Sequence, residues 1–345
     1  MRPKKAADGP AISTTDTGKQ GCSLQNVTWT CLCPMDGSNS RVPAETPPPS
    51  ASTGSRRTVF VLRAGSTLLM WAIALGIIFS GQEIGFFVLI AGLTLLALWE
   101  FYRMLEKRGL HVFTATGLIA GLVSLCGSFY FLRQGDTAQA YDFELCVLLL
   151  FVFGVFARQF FEKLRGEAPL QSMAYTLFGL LYIVWLFSFV TKLVYLPPRG
   201  PEGAVTGHWC VLYLVVVTKF CDMGAYLTGM LFGKHPMVPA ISPKKTVEGF
   251  IGALVFSVGA SLGSWWLLRE QLPFLHAPDA VVLGLLIGVA AVIGDLAESL
   301  IKRSTDAKDS GSLLPGIGGV LDLIDSLLFT APVLYFYLRF VAGLP

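Results

Sequence analysis

Residues 280–301 read Ala-Val-Val-Leu-Gly-Leu-Leu-Ile-Gly-Val-Ala-Ala-Val-Ile-Gly-Asp-Leu-Ala-Glu-Ser-Leu-Ile. Nothing in this stretch is charged before Asp295, and about 20 apolar residues are what a helix needs to cross a bilayer. Lipid cannot satisfy open backbone groups, and the run is too long and too uniformly apolar for a barrel strand, so a helix is the expected state. Similar runs stand at 64–81, 84–101, 113–132, 143–161, 174–196, 209–232, 247–268 and 326–342, making nine candidate spans. The first two are separated by little more than Gln82 and Glu83, which reads as a tight hairpin. The expected fold is all-α, a polytopic transmembrane helical bundle.

Composition agrees. The chain is 53% hydrophobic, 14% charged and has a mean hydropathy of +0.62. Soluble domains carry about 25% charged residues. A disordered chain would need low hydrophobicity, and 7 cysteines, an odd number, are too few for a disulfide scaffold. A net charge of +3 gives no case for nucleic acid as a partner. Residues 1–57 differ from the rest. They are rich in Pro, Ser, Thr and Gly, as in Thr46-Pro47-Pro48-Pro49-Ser50, and read as a disordered cytoplasmic tail. Cys22, Cys31 and Cys33 lie there without a fourth zinc ligand. Residues 58–345 read as one transmembrane domain.

Positive charges alternate between the connections. Three stand before span one (Arg56, Arg57, Arg63) and after each even-numbered span: Arg103, Lys107 and Arg108; Arg158, Lys163 and Arg165; Lys234, Lys244 and Lys245; Lys302, Arg303 and Lys308. The other side shows Arg133, Arg199, Arg269 and Arg339. This bias places the N-terminus and the even-numbered connections in the cytoplasm.

The polar residues of the last third collect on that side. Asp295, Glu298 and Lys302 are spaced i, i+3, i+7 and so share one helix face. Lys302-Arg303, Lys308-Asp309-Ser310-Gly311 and Leu314-Pro315-Gly316-Ile317-Gly318-Gly319 follow, and Asp322 and Asp325 open the last helix, where its dipole suits carboxylates. A carboxylate inside a membrane is expensive and is retained when it pairs or binds an ion or substrate. Carboxylate oxygens suit Mg²⁺, which completes its shell with substrate phosphates. Lys and Arg neutralise phosphates, and glycines let a backbone approach closely. Together these suggest phosphoryl or nucleotidyl transfer, against the plainer alternative of a salt-bridged loop. Glu100, at the end of span two, reads as facing the interface, and His111, His208, His235 and His276 show no metal-ligand pairing. Lys219 and Asp222, three residues apart within span six, read equally well as a self-neutralising pair or as part of a site.

Three ordered segments carry a resemblance. Asp222-x-Gly224-Ala225-Tyr226, Ser242-Pro243-Lys244-Lys245-Thr246-x-Glu248-Gly249, and the run from Ser299 through Lys302-Arg303, Lys308-Asp309, Gly311, Leu314-Pro315-Gly316-x-Gly318-Gly319 to Asp322 and Asp325 resemble the integral membrane phosphatidate cytidylyltransferases. The likeness covers residues 60–345 in architecture and is densest in a motif-bearing core, 219–330. Ile317 and Leu323 stand where many members have His and Arg.

The resemblance implies transfer of a cytidylyl group from CTP to phosphatidate, giving CDP-diacylglycerol and pyrophosphate with Mg²⁺. It implies an integral protein of the cell (inner) membrane whose site faces the cytoplasm, and leaves a homodimer as an open expectation. Asp295 and Asp322 become the first expected metal ligands, with Asp325, Asp309 and Glu298 behind them. Lys244, Lys245, Lys302, Arg303 and Lys308 would hold phosphates. Ser242 and Thr246 would donate hydrogen bonds, Gly318 and Gly319 would line the substrate, and Asp222 would complete the cavity. A CTP-dependent lipid or polyprenol kinase and a secondary transporter remain as alternatives. The second fits less well, since no internal repeat relates 60–200 to 201–345.

Overall fold

The computed structural model describes residues 72–344 except 74, 78, 163–167, 201–204, 308–309 and 312–317. The expected tail, most of the first expected span, and Lys308 and Asp309 therefore lie outside the described residues. Among those described, eight helices are long and apolar enough to cross a membrane. They are α1 (Glu83–Lys107), α2 (Thr114–Arg133), α3 (Thr137–Gln159), α4 (Ala168–Tyr195), α5 (His208–Phe232), α6 (Val247–Leu267), α7 (Ala277–Ser304) and α8 (Leu321–Phe340). Each matches an expected span, and most run longer. The protein is an all-α polytopic membrane bundle.

The outer faces are apolar. Leu150, Phe153, Ile251, Val255 and Phe340 are all more than half exposed. Inside, small and hydroxyl residues let helices approach closely and bond across the gap, as bundles in lipid require. On α6, Ser257 Oγ donates to Gly284 O of α7 at 2.7 Å and Ser261 Oγ to Ala280 O at 2.5 Å. Tyr213 of α5 shares a 2.5 Å hydrogen bond with Ser261. These contacts, with the packing of α7 on α8, tie α5 to α8 into one half of the bundle.

The other half, α1 to α4, holds a buried ion pair that the sequence reading did not anticipate. Lys192 Nζ of α4 lies 2.6 Å from Glu144 Oε2 of α3, and both side chains are almost wholly buried. Ser128 also bonds Glu144, and Ser188 accepts from Lys192 at 3.2 Å. A charge inside a bundle persists only with such partners.

Helices alone do not account for the motif Ser242–Thr246. It forms strand β2 (Ser242–Thr246), paired antiparallel with β1 (Pro236–Val238), with Pro236 opposite Thr246 and Val238 opposite Ser242. Pro243 is tolerated because a two-stranded hairpin has free edges. Glu248 closes the hairpin's base by accepting from Lys234 N (3.1 Å), His235 N (3.2 Å) and His235 Nδ1 (2.5 Å). Thr246 caps α6, its Oγ1 accepting from Gly249 N at 3.1 Å.

Candidate active site

The hairpin, the C-terminal part of α5 and the start of α6 enclose a cleft of about 440 Å³ with Asp295 of α7 at its side. That volume lies in the range of small-molecule sites, roughly 300–1,000 Å³. Six of the expected residues line it: Asp222, Ser242, Lys244, Lys245, Thr246 and Asp295. Tyr226 and Met230, also in its wall, are more than half exposed. The cleft is therefore continuous with the apolar outer surface of the bundle.

The strand explains the different settings of its two lysines. Lys244 is exposed, whereas Lys245 turns inward and places Nζ 2.8 Å from Asp295 Oδ2. The buried ammonium makes no hydrogen bond among the described residues, which leaves it N–H groups to donate beside the cleft. Lys219 Nζ lies 3.2 Å from Asp222 Oδ2 and 3.4 Å from Leu323 O. Self-neutralisation and a place in the cleft wall, weighed as alternatives for this pair, both hold for Asp222.

Beyond Asp295 the carboxylates converge. Asp295, Glu298 and Asp325 each offer an oxygen within 4.8 Å of the others. The shared face of α7 brings the first two together, and the packing of α8 on α7 supplies the third. Asp325 is buried, its Oδ1 accepting from Ser326 N at 2.6 Å. Glu298 Oε2 meets Lys302 Nζ at 2.8 Å, while its Oε1 is buried without a hydrogen-bond partner among the described residues. Three carboxylates this close, one of them with an oxygen lacking a partner among the described residues, fit a hard divalent cation.

Asp322 does not join that trio. Its Oδ2 accepts from Gly319 N at 2.9 Å, and its Oδ1 faces Ser310 N at 3.4 Å and Lys302 Nζ at 3.3 Å. The structure thus groups Asp295 with Glu298 and Asp325, while the expected ligand Asp322 accepts from the turn before α8 and lies beside Lys302. Lys302 is shared between Glu298 and Asp322. Arg303 Nε reaches Ile241 O of the hairpin at 3.4 Å, bracing the cleft from outside.

The glycine-rich turn has a local reason. Gly318 has φ +118°, and a Cβ there would approach Asp322 Oδ2 to 2.5 Å. Gly319 is crowded by Ser310 Oγ and by Glu100 Oε2. Neither glycine lines the cleft. Glu100 itself departs from expectation. It does not face the interface but is 2% exposed, with Oε2 accepting from Leu321 N at 3.0 Å. An ionisable group on an apolar helix was the signal available for it.

Comparison with known proteins agrees with this arrangement. The sequence profile of the cytidylyltransferase family matches residues 61–341. An uncharacterized Escherichia coli protein, YnbB, is 36% identical over 200 residues, 57% of this chain and 65% of that protein. The phosphatidate cytidylyltransferase of Mycobacterium bovis is 33% identical over 70% of this chain and 76% of its own length. That of Bacillus subtilis is 32% identical over 74% of this chain and 89% of its own. With a match spanning nearly all of the membrane domain, and with the motif segments gathered at one end of the bundle, the chain belongs to the cytidylyltransferase family.

Proposed function

We propose that the protein joins CTP to phosphatidate, forming CDP-diacylglycerol and pyrophosphate at the cytoplasmic face of the membrane. The observation that carries this reading is a paired-lysine strand lining a cleft that opens onto the apolar outer surface, with Asp295 in its wall joining the cleft to the carboxylate trio. A lipid phosphate could reach such a cleft while its acyl chains stay in the leaflet. The family match and the mycobacterial and Bacillus relatives, both phosphatidate cytidylyltransferases, support the same substrates.

An oxygen of the lipid phosphate attacks the α-phosphorus of CTP, a P–O bond forms, and the bond to the β-phosphate breaks with its electron pair leaving on pyrophosphate. A phosphomonoester is largely ionised near neutral pH, so the site needs no strong general base. Its work is positioning and charge neutralisation. Lys244 and Lys245 hold phosphate oxygens, Lys245 with the N–H groups that Asp295 leaves unsatisfied. Ser242 donates its hydroxyl hydrogen. Thr246 can still donate while its oxygen caps α6. Asp295, Glu298 and Asp325 would hold Mg²⁺. Once bound, that ion supplies charge neutralisation and in-line alignment of the phosphates. Lys302 keeps Glu298 directed toward Asp295 and Asp325.

Purified protein given α-labelled CTP, phosphatidate and Mg²⁺ should release unlabelled pyrophosphate and carry the label into a lipid. Release of CDP would instead indicate a kinase, and release of neither product would contradict enzymatic turnover of CTP.

A further inference from the structure

We infer that Glu100, on α1 in the other half of the bundle, is a positioning residue that holds the turn before α8 and, through it, the carboxylate trio. The inference rests on the proposed use of Mg²⁺ and CTP at that trio. Glu100 is buried, and among the described residues its Oε2 accepts from Leu321 N at 3.0 Å. Leu321 is the first residue of α8, where four backbone N–H groups lack helical partners. A carboxylate there satisfies one of them and complements the helix dipole.

The surrounding turn is shaped to the same side chain. A Cβ on Gly311 would meet three atoms, the Oε1, Cδ and Cγ of Glu100. A Cβ on Gly319 would lie 2.5 Å from Glu100 Oε2. Gly311 does not have a positive φ, so conformational freedom does not explain it. These two glycines make room for Glu100.

From there a continuous chain of contacts reaches the trio. Asp322 follows Leu321 directly and fixes Gly319 N and Ser310 N; Lys302 links Asp322 to Glu298; Glu298 sits with Asp295 and Asp325. The Arg108–Asp306 ion pair adds a second tie between the end of α1 and the end of α7. Groups that orient metal ligands in this indirect way typically change metal affinity or activity about 10- to 100-fold when removed.

The test uses the full-length protein in detergent, with turnover and thermal unfolding measured across a Mg²⁺ titration. Glu100→Ala should lower kcat and raise the Mg²⁺ half-saturation by at least about 10-fold, while KM for phosphatidate stays within a factor of two. Glu100→Gln, which keeps a carbonyl acceptor for Leu321 N, should recover most of both. A folded Glu100→Ala protein with wild-type kcat and wild-type Mg²⁺ half-saturation would overturn the inference.

A second measurement needs no activity. Gly311→Ala alone should lower the unfolding temperature, whereas Glu100→Ala/Gly311→Ala should be no less stable than Glu100→Ala, since the added methyl group then has space. Additive losses would contradict the fit. If wild-type protein makes no CDP-lipid, the proposed function fails, yet this stability cycle and the Mg²⁺-induced shift in unfolding temperature still test Glu100.

Discussion

Replacing Glu298 with Gln separates the carboxylate trio from the expected Asp295–Asp322 pair. Gln has the length of Glu and keeps one carbonyl oxygen, so Lys302 retains a partner there at the present 2.8 Å, and also Asp322 at 3.3 Å. What disappears is one of three negative charges whose oxygens lie within 4.8 Å of one another. Without an ion this relieves repulsion, so the fold should be no less stable. With an ion, a charge-assisted contact is lost, worth about 1.5–3 kcal/mol. At about 1.36 kcal/mol per decade, this corresponds to a rise of roughly 10- to 150-fold in the Mg²⁺ half-saturation. Asp322→Asn should be milder, below about 10-fold at the lower end expected of groups behind the ligands, because Asn can still accept from Gly319 N. Initial rates over a Mg²⁺ titration, with unfolding curves for each variant, give the comparison. A folded Glu298→Gln protein whose Mg²⁺ half-saturation stays within threefold of wild type would refute the assignment of the trio as the ion site.

Three further expectations test other parts of the structure. Lys192→Met strands Glu144 in the bundle and should cost about 3–5 kcal/mol, while Glu144→Leu/Lys192→Met should recover most of that loss in detergent unfolding; equal losses in single and double variants would contradict the buried pair. Lys234→Cys, in a background stripped of native cysteines, should react with an impermeant thiol reagent only when the cytoplasmic face is opened; labelling of intact cells would reverse the topology. Deleting residues 1–55 should leave turnover largely intact, because the Pro/Ser/Thr composition of that segment cannot bury a core. A truncated protein that inserts normally but is inactive would show that the segment has a function.

The spans were legible because a membrane demands long apolar runs, and each described helix falls on one. Asp295 was legible as a candidate because intramembrane charge is costly enough to need a reason, and Lys245 through the Ser242–Gly249 motif that carries the resemblance. Other features were hidden for identifiable causes. Spacing does not say which carboxylates converge across helices, so the grouping of Glu298, rather than Asp322, with Asp295 and Asp325 was not legible. Glu100 meets Leu321 across 221 residues of sequence, a pairing no local pattern encodes. Glu144 and Lys192 lie on different helices, and each alone is only an isolated charge in an apolar run. The hairpin was missed because a five-residue strand containing Pro243 carries almost no periodic signal.

In the proposed reaction the cleft between the hairpin and α7 transfers a cytidylyl group to a lipid phosphate with the help of the carboxylate trio. The most direct test is product analysis of purified protein with α-labelled CTP and phosphatidate, with and without Mg²⁺, for wild type and Asp295→Asn. Wild type with Mg²⁺ should give a labelled lipid and stoichiometric pyrophosphate, and neither product should come from wild type without it or from the folded variant. Wild-type protein that releases CDP or leaves CTP intact, or an Asp295→Asn variant with undiminished Mg²⁺-dependent turnover, would contradict the proposed reaction.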